Sequence, residues 1–185
     1  MRMLYVILPT RNEEIGLGEV IDRIPIAAIE EMGFSTRVVV VDGFSTDLTC
    51  EIAQERGAKL IRQQGRKGKG IGFRQAIEEL KLGGLNKEDR IVMLDADATY
   101  FPEDIPRLID ALGACDVVWG SRLRGNIEPR AMSRTNKLGN HILSLVASIV
   151  FFHRTTDLCT GYWGFRAESL ESLELTAEGF TLEAD

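Results

Sequence analysis

The sequence predicts an α/β fold, a single layered domain with a mostly parallel central sheet. Three observations carry that expectation. The runs "MLYVILP" and "RVVVVD" are continuously apolar and rich in Val and Ile, the form of parallel strands covered on both faces. Segments with helical spacing alternate with these runs, as right-handed βαβ crossovers require. A chain of 185 residues that is 44% hydrophobic has material for one sizeable core but not two.

The elements follow in order. After the first strand, "NEEIGLGEVIDRI" places most of Ile15, Val20, Ile21 and Ile24 on one helical face, with Asn12 as N-cap and acids in the first turn. The second strand, "RVVVVD", leads into "STDLTCEIAQERG", a helix capped by Ser or Thr and stopped by Gly57. Strand "KLIRQ", helix "GFRQAIEELKL", strand "RIVMLDA", helix "PEDIPRLIDAL" and strand "DVVWGSR" complete five alternations. The longest apolar stretch, "ILSLVASIVFF", is too short to span a bilayer and reads as a core helix or an interfacial one.

Composition excludes several functions. With 28 acidic and 22 basic residues the formal charge is -6, which argues against a uniformly basic nucleic-acid binder. Two basic islands stand out. Lys59, Arg62, Arg66, Lys67, Lys69 and Arg74 lie in a stretch without acids, and Arg122, Arg124, Arg130, Arg134 and Lys137 face only Glu128. Either is a local anion site or a solvated charged face. Cys50, Cys115 and Cys159 lack metal or disulfide spacing, and the opening residues do not read as a signal peptide, so a cytoplasmic chain with reduced thiols is expected. His141 and His153 fit neither a zinc site nor a His-based triad.

In such sheets ligands bind beyond the carboxyl ends of the strands. The residues leaving the strands are "PTRNEE", "DGFSTD", "DADAT" and "GSRLRG", all expected at one edge. Asp95 and Asp97 are two apart at a strand end and point the same way, as two ligands of one hard cation would; a turn or cap is the plainer alternative. Asp42 has the same two readings. The glycine-rich "GRKGKGIG" lacks the spacing of a phosphate loop and reads as a cationic loop entering a helix.

Taken in order, these segments resemble the GT-A glycosyltransferases of family 2, and within them the polyprenyl-phosphate (dolichyl-phosphate) sugar synthases. "PTRNEE" resembles P-x-Y-N-E, with Arg11 at the tyrosine position. "VVVVDGFSTDLT" resembles V-V-D-D-G-S-T-D-x-T, with Gly43 at the second Asp, and "LDADATYFPEDIP" resembles D-A-D-L-Q-H-x-P-E-x-I-P, with Thr99 at the glutamine. "GSRLRG", "PRAMSRTNKLGN", "TDLCTGYWGFRAESLESL" and "GFTLEAD" are similar to the later segments. The resemblance implies that Asp42 holds the nucleotide base with Pro9 and Glu13 lining its pocket. It makes Asp95 and Asp97 ligands of Mg2+ or Mn2+ at the donor diphosphate, and Arg122, Arg130 and Arg134 contacts of the acceptor phosphate. Residues 1–185 are then expected to form one catalytic domain without a carboxyl-terminal membrane-associated extension.

The implied reaction moves a hexose from a nucleotide-diphosphate sugar to a polyprenyl phosphate. A phosphate acceptor is already ionised and needs no general base, which suits the lack of a suitably placed histidine. Cations at Arg66, Lys67 and Lys69 add to the field that receives the leaving diphosphate, and arginines are apt phosphate clamps. The apolar stretch after the arginines is expected at the cytoplasmic face of a membrane. Three rivals remain: a family 2 transferase with a soluble acceptor and Asp157, Glu183 or Asp185 as base, a nucleotidyltransferase, whose G-x-G-T-R opening is absent, and a receiver-like metal-binding domain.

Overall fold

The computed structural model describes residues 2–123, 134–150, 152 and 155–171, the side chains of Arg134, Thr135 and Glu171 excepted. Leu4 to Leu8 are buried in the first strand, β1 (Arg2–Thr10), which lies between β2 (Phe34–Asp42) and β4 (Arg90–Met93). Strand β3 (Lys59–Arg62) lies outside β2, and β6 (Trp163–Arg166) and β5 (Val117–Trp119) complete the order β3-β2-β1-β4-β6-β5.

The period of two in β1 divides its side chains between two cores. Leu4, Val6 and Leu8 join Val40, Val92 and Leu94 on one face. They pack there with Leu17 and Val20 of α1 (Leu17–Asp22), Ile29 of α2 (Ile26–Glu31), Ala53 of α3 (Thr49–Glu55) and Leu108 of α5 (Ile105–Ala111). Tyr5 and Ile7 join Val39, Val41, Ile91 and Met93 on the other face, against Phe73, Ala76, Ile77 and Leu80 of α4 (Lys69–Leu82). Each such aliphatic side chain contributes about 1.5–3 kcal/mol through its removal from water.

Strands β1, β2, β3 and β4 are mutually parallel, with Thr10 opposite Asp42, Asp42 opposite Arg62 and Ile7 opposite Met93. Their carboxyl ends therefore share one edge, as expected. Strands and helices both depart from expectation: α3 has Leu48 as its cap, with no side-chain cap bond, instead of Ser or Thr, and α2 is an additional helix. Strand β6 is antiparallel to both neighbours and separates β4 from β5, so Trp163 stands opposite both Met93 and Trp119. Its amino end and the exit of β5 thereby reach the same edge. The first helix begins at Leu17 with Gly16 as cap rather than at Asn12, whose φ is +57°, and Ile15 is 93% exposed instead of belonging to the apolar face.

Helix α6 (Arg134–Val150) joins neither core. Among its described side chains the buried ones are Asn140, Ser144 and Ala147, while Leu138, Ile142, Leu145, Val146 and Ile149 are exposed. The helix thus seats its small polar face on the protein and turns its aliphatic face outward. Among the described residues, no helix is long and apolar enough to cross a membrane.

Candidate active site

The loops leaving β1 and β2 are pinned to one another. The Asn12 N–H donates to Ser45 Oγ at 2.9 Å, and the Thr46 N–H donates to Asn12 Oδ1 at 2.9 Å. The Glu13 N–H donates to Thr49 Oγ1 at 2.8 Å, and the Leu48 N–H to Glu14 Oε2 at 3.1 Å. This explains the displaced helix start: Asn12 spends its side chain across the loops, and the left-handed backbone it tolerates turns the chain there. Asp42, at the end of β2, is buried and accepts the Ser45 N–H at 3.1 Å. Pro9 is half-buried one residue before Thr10, which faces Asp42 across the ladder.

Beyond β4 the chain bends through Asp95 and Asp97. Asp95 lies half-buried, and its Oδ1 is 2.6 Å from Lys69 Nζ. Gly161 lies against it so closely that a Cβ there would overlap the Asp95 carboxylate. Asp97 is exposed, and its Oδ1 accepts both the Thr99 N–H at 3.0 Å and the Thr99 hydroxyl at 2.6 Å. Thr99 therefore has a stated job, orienting Asp97 from within the turn. Gly16 has one too: a Cβ on it would come within 2.6 Å of the Ala96 carbonyl oxygen and 3.0 Å of Asp97 Cα. Its absence lets the β1 loop press on the carboxylate turn, which brings Glu13 close to Asp95 and Asp97.

The electrostatics of that gathering are unbalanced. Burial raises the Glu13 carboxyl above the ordinary glutamate range, and the charges of Asp97, Asp95 and Asp47 raise it further. A hard cation suits such an oxygen donor set. Among the described residues no group of three or more His, Cys, Asp or Glu side chains is gathered to hold an ion unaided. Asp95 and Asp97 would supply two ligands, leaving the rest to phosphate oxygens and water, which is the habit of Mg2+ at phosphate sites.

Arg122 leaves β5 toward the same edge and is engaged by Asp157, which is fully buried. The Asp157 carboxylate accepts from the Arg122 N–H at 2.8 Å, Nε at 2.9 Å and Nη2 at 2.9 Å, and from Asn140 Nδ2 of α6 at 2.5 Å. The same guanidinium donates to the Cys159 carbonyl and lies 5.6 Å from the Tyr100 ring centroid. Burial alone would raise the Asp157 carboxyl, but the bonds from Arg122 and Asn140 win and hold it below the aspartate range. A residue so placed is a poor general base, which removes Asp157 from that role. The pair anchors α6 to the sheet edge, with Ser144 Oγ accepting the Leu158 N–H at 3.0 Å.

The structure thus brings Pro9, Glu13, Asp42, Lys69, Asp95, Asp97 and Arg122 to one edge of the sheet. Arg124, Arg130, Phe151, His153, Arg154, Glu183 and Asp185 lie outside the described residues, and Arg134 is placed only by its backbone at the start of α6. The first basic island is dispersed: Lys59 pairs with Glu79 at 2.6 Å, Lys69 with Asp95, and Lys67 lies 5.6 Å from the Phe44 ring centroid. Sequence reasoning missed Tyr100, whose hydroxyl accepts the Gly161 N–H at 2.5 Å, and Asp157 as the partner of Arg122. The buried aromatic beside the carboxylate motif was a visible signal for the first.

The mostly parallel α/β sheet has the GT-A class of fold, which it shares with solved glycosyltransferase structures. The family model described as glycosyl transferase family 2 matches residues 5–174, and the chain belongs to that family. It is 33% identical over 181 residues to glycosyltransferase AglJ of Haloferax volcanii, covering 97% of this chain and 55% of that one. It is 35% identical over 179 residues to the dolichyl-phosphate hexose transferase of the same organism, covering 94% and 70%. The chain spans about half the length of the first curated relatives it matches, at 55% and 43%. Among solved structures, the fold superposes with a TM-score of 0.72 on glucosyl-3-phosphoglycerate synthase from Mycobacterium tuberculosis in complex with Mn2+, UDP-glucose and phosphoglyceric acid. That match is 24% identical and covers 98% of this chain and 62% of the other.

Proposed function

We propose that this chain is the catalytic part of an inverting, divalent-metal-dependent hexosyltransferase whose donor is a nucleotide-diphosphate sugar and whose acceptor is a polyprenyl phosphate at the cytoplasmic face of a membrane. The observation that carries the reading is the orientation of α6. Its aliphatic residues Leu138, Ile142, Leu145, Val146 and Ile149 face outward, while Asn140 and Ser144 tie it to the segment of Asp157 and Leu158, and Asp157 in turn holds Arg122. An outward apolar stripe of this size is suited to the acyl boundary of a bilayer. From 129 to 156 the sequence has no acid, while Arg130, Arg134, Lys137 and Arg154 supply positive charge that complements anionic headgroups and a lipid-linked phosphate.

In this reading Asp42 receives the base, Pro9 and Glu13 line its pocket, and Asp95, Asp97 and Lys69 face the diphosphate. A divalent cation bound there would stabilise the negative charge that develops on the leaving diphosphate. The acceptor phosphate is positioned by Arg130, Arg134 and the edge of the Arg122 guanidinium that Asp157 leaves open. One acceptor phosphate oxygen attacks the anomeric carbon from the face opposite the leaving group. The bond from that carbon to the diphosphate oxygen breaks, and its electron pair departs with the nucleoside diphosphate. No proton need be removed from the nucleophile, which agrees with the engagement of Asp157 by Arg122. Relatives named for dolichyl phosphate support the acceptor class, and a fold neighbour holding Mn2+ and UDP-glucose supports the nucleotide-sugar donor and the divalent cation.

The test is flotation with vesicles containing anionic lipid. The protein is expected to float with them, and the double variant Leu145→Ser with Ile149→Ser is expected to remain behind with an unchanged melting temperature. Equal flotation of the double variant and the parent would remove the interfacial role of α6.

A further inference from the structure

Lys69 is the first residue of α4, and its side chain is 8% exposed. A lysine that far out of water needs an anionic partner, and Asp95 Oδ1 at 2.6 Å is one. The arrangement around it is built. The Gly68 N–H donates to Gln63 Oε1 at 3.2 Å, which seats the turn before Lys69. Gly161 closes on the Asp95 carboxylate from another side. Asp95 is also one of the two carboxylates assigned to the cation, and an ammonium and a divalent ion repel when they share an oxygen.

We propose that Lys69 is the internal counter-ion of Asp95, holding that carboxylate until a nucleoside diphosphate arrives and making cation binding conditional on the donor. This rests on the reading of Asp95 and Asp97 as the cation ligands. The diphosphate offers Lys69 replacement oxygens, so the ammonium moves from Asp95 to phosphate without losing its pairing. Asp95 is then released to the cation that enters with the diphosphate. The device offsets one of the acids near Glu13 before the donor binds, and it couples donor and cation into one binding event. In this scheme Lys69 acts through Asp95 before the donor binds and directly on the diphosphate afterwards.

The experiment measures Mn2+ binding to the whole chain by the paramagnetic resonance of free Mn2+, alone and with saturating UDP or GDP. The wild-type protein is expected to bind Mn2+ at least about tenfold more tightly with one of the nucleotides than without. Lys69→Met is expected to bind Mn2+ alone at least about tenfold more tightly than wild type and to lose most of the gain from nucleotide, because removing a unit charge a few ångströms from the ion relieves a repulsion of that order or more. Lys69→Arg is expected to restore conditional binding, and Lys69→Gln serves in place of the methionine variant if the latter does not fold. Unchanged nucleotide-free affinity in Lys69→Met or Lys69→Gln overturns the counter-ion role while leaving the cation site intact. Absence of Mn2+ binding to wild type with either nucleotide overturns the cation site itself, and with it the inference.

Discussion

Replacing Asp157 by alanine removes the carboxylate that holds Arg122 and Asn140 and leaves a partly buried guanidinium without its main partner. Breaking a buried ion pair from one side costs about 3–5 kcal/mol. The Arg122 side chain is 22% exposed, so water replaces part of what is lost, and the lower end, about 3 kcal/mol, is expected. For a chain of this size that is a fall in melting temperature of about 6–12 °C. The assay is thermal and urea unfolding at neutral pH, with Arg122→Met combined with Asp157→Leu as the control that removes both charges and recovers much of the loss. The pH dependence has a definite sign. The folded Asp157 titrates below its unfolded value, so its stabilisation is fully present above the ordinary aspartate range, about pH 4, and disappears as the pH falls through the lower folded value. A loss under about 1 kcal/mol in Asp157→Ala at neutral pH, or a gap from wild type that does not narrow in acid, would refute the reasoning.

Other variants separate the remaining parts of the account. Gly161→Ala drives a methyl group into the Asp95 carboxylate, so transfer activity should fall by at least about tenfold with the fold retained; activity within about twofold of wild type would show that Asp95 can move without consequence. Glu13 has a raised folded value, so its ionisation costs stability as the pH climbs from the unfolded value through the folded one. Glu13→Gln should therefore unfold at a higher temperature than wild type at pH 7 without divalent cation, with no advantage near pH 3, and equal stability at pH 7 would contradict the burial of Glu13 and its crowding by Asp97 and Asp95. Phe44 sits at φ +65°, a left-handed conformation unfavourable for a bulky side chain, so Phe44→Gly should stabilise the protein by about 1 kcal/mol in urea unfolding, and destabilisation would mean that the ring's packing under Lys67 outweighs the backbone strain.

The parallel half of the fold was legible because its strands are unbroken apolar runs, and Val39, Val40 and Val41 are indeed buried between helical layers. Strand β6 was hidden because "WGFR" is short, contains a glycine and lies within a stretch that also reads as a functional motif. The helix after β1 was misread by a capping rule that holds locally, since the Asn12 side chain is taken by Thr46 from a different loop. At the site, the spacing of Asp95 and Asp97 was visible along the chain. The pairing of Lys69 with Asp95 and of Arg122 with Asp157 was not, because neither pair is close in sequence and only the crossing of strands brings them together. The outward face of α6 was half visible: the apolar run was plain, but that Asn140 and Ser144 face inward depends on the buried Asp157.

The most direct test is transfer of a labelled hexose from a panel of UDP and GDP sugars, in Mn2+ or Mg2+, to polyprenyl phosphate in vesicles and, in parallel, to 3-phosphoglycerate. The account predicts a polyprenyl-phosphate hexose of inverted anomeric configuration, lost on chelation of the cation and in Asp97→Asn. Transfer to the soluble acceptor alone, or lipid-linked product that survives both chelation and Asp97→Asn, would contradict it.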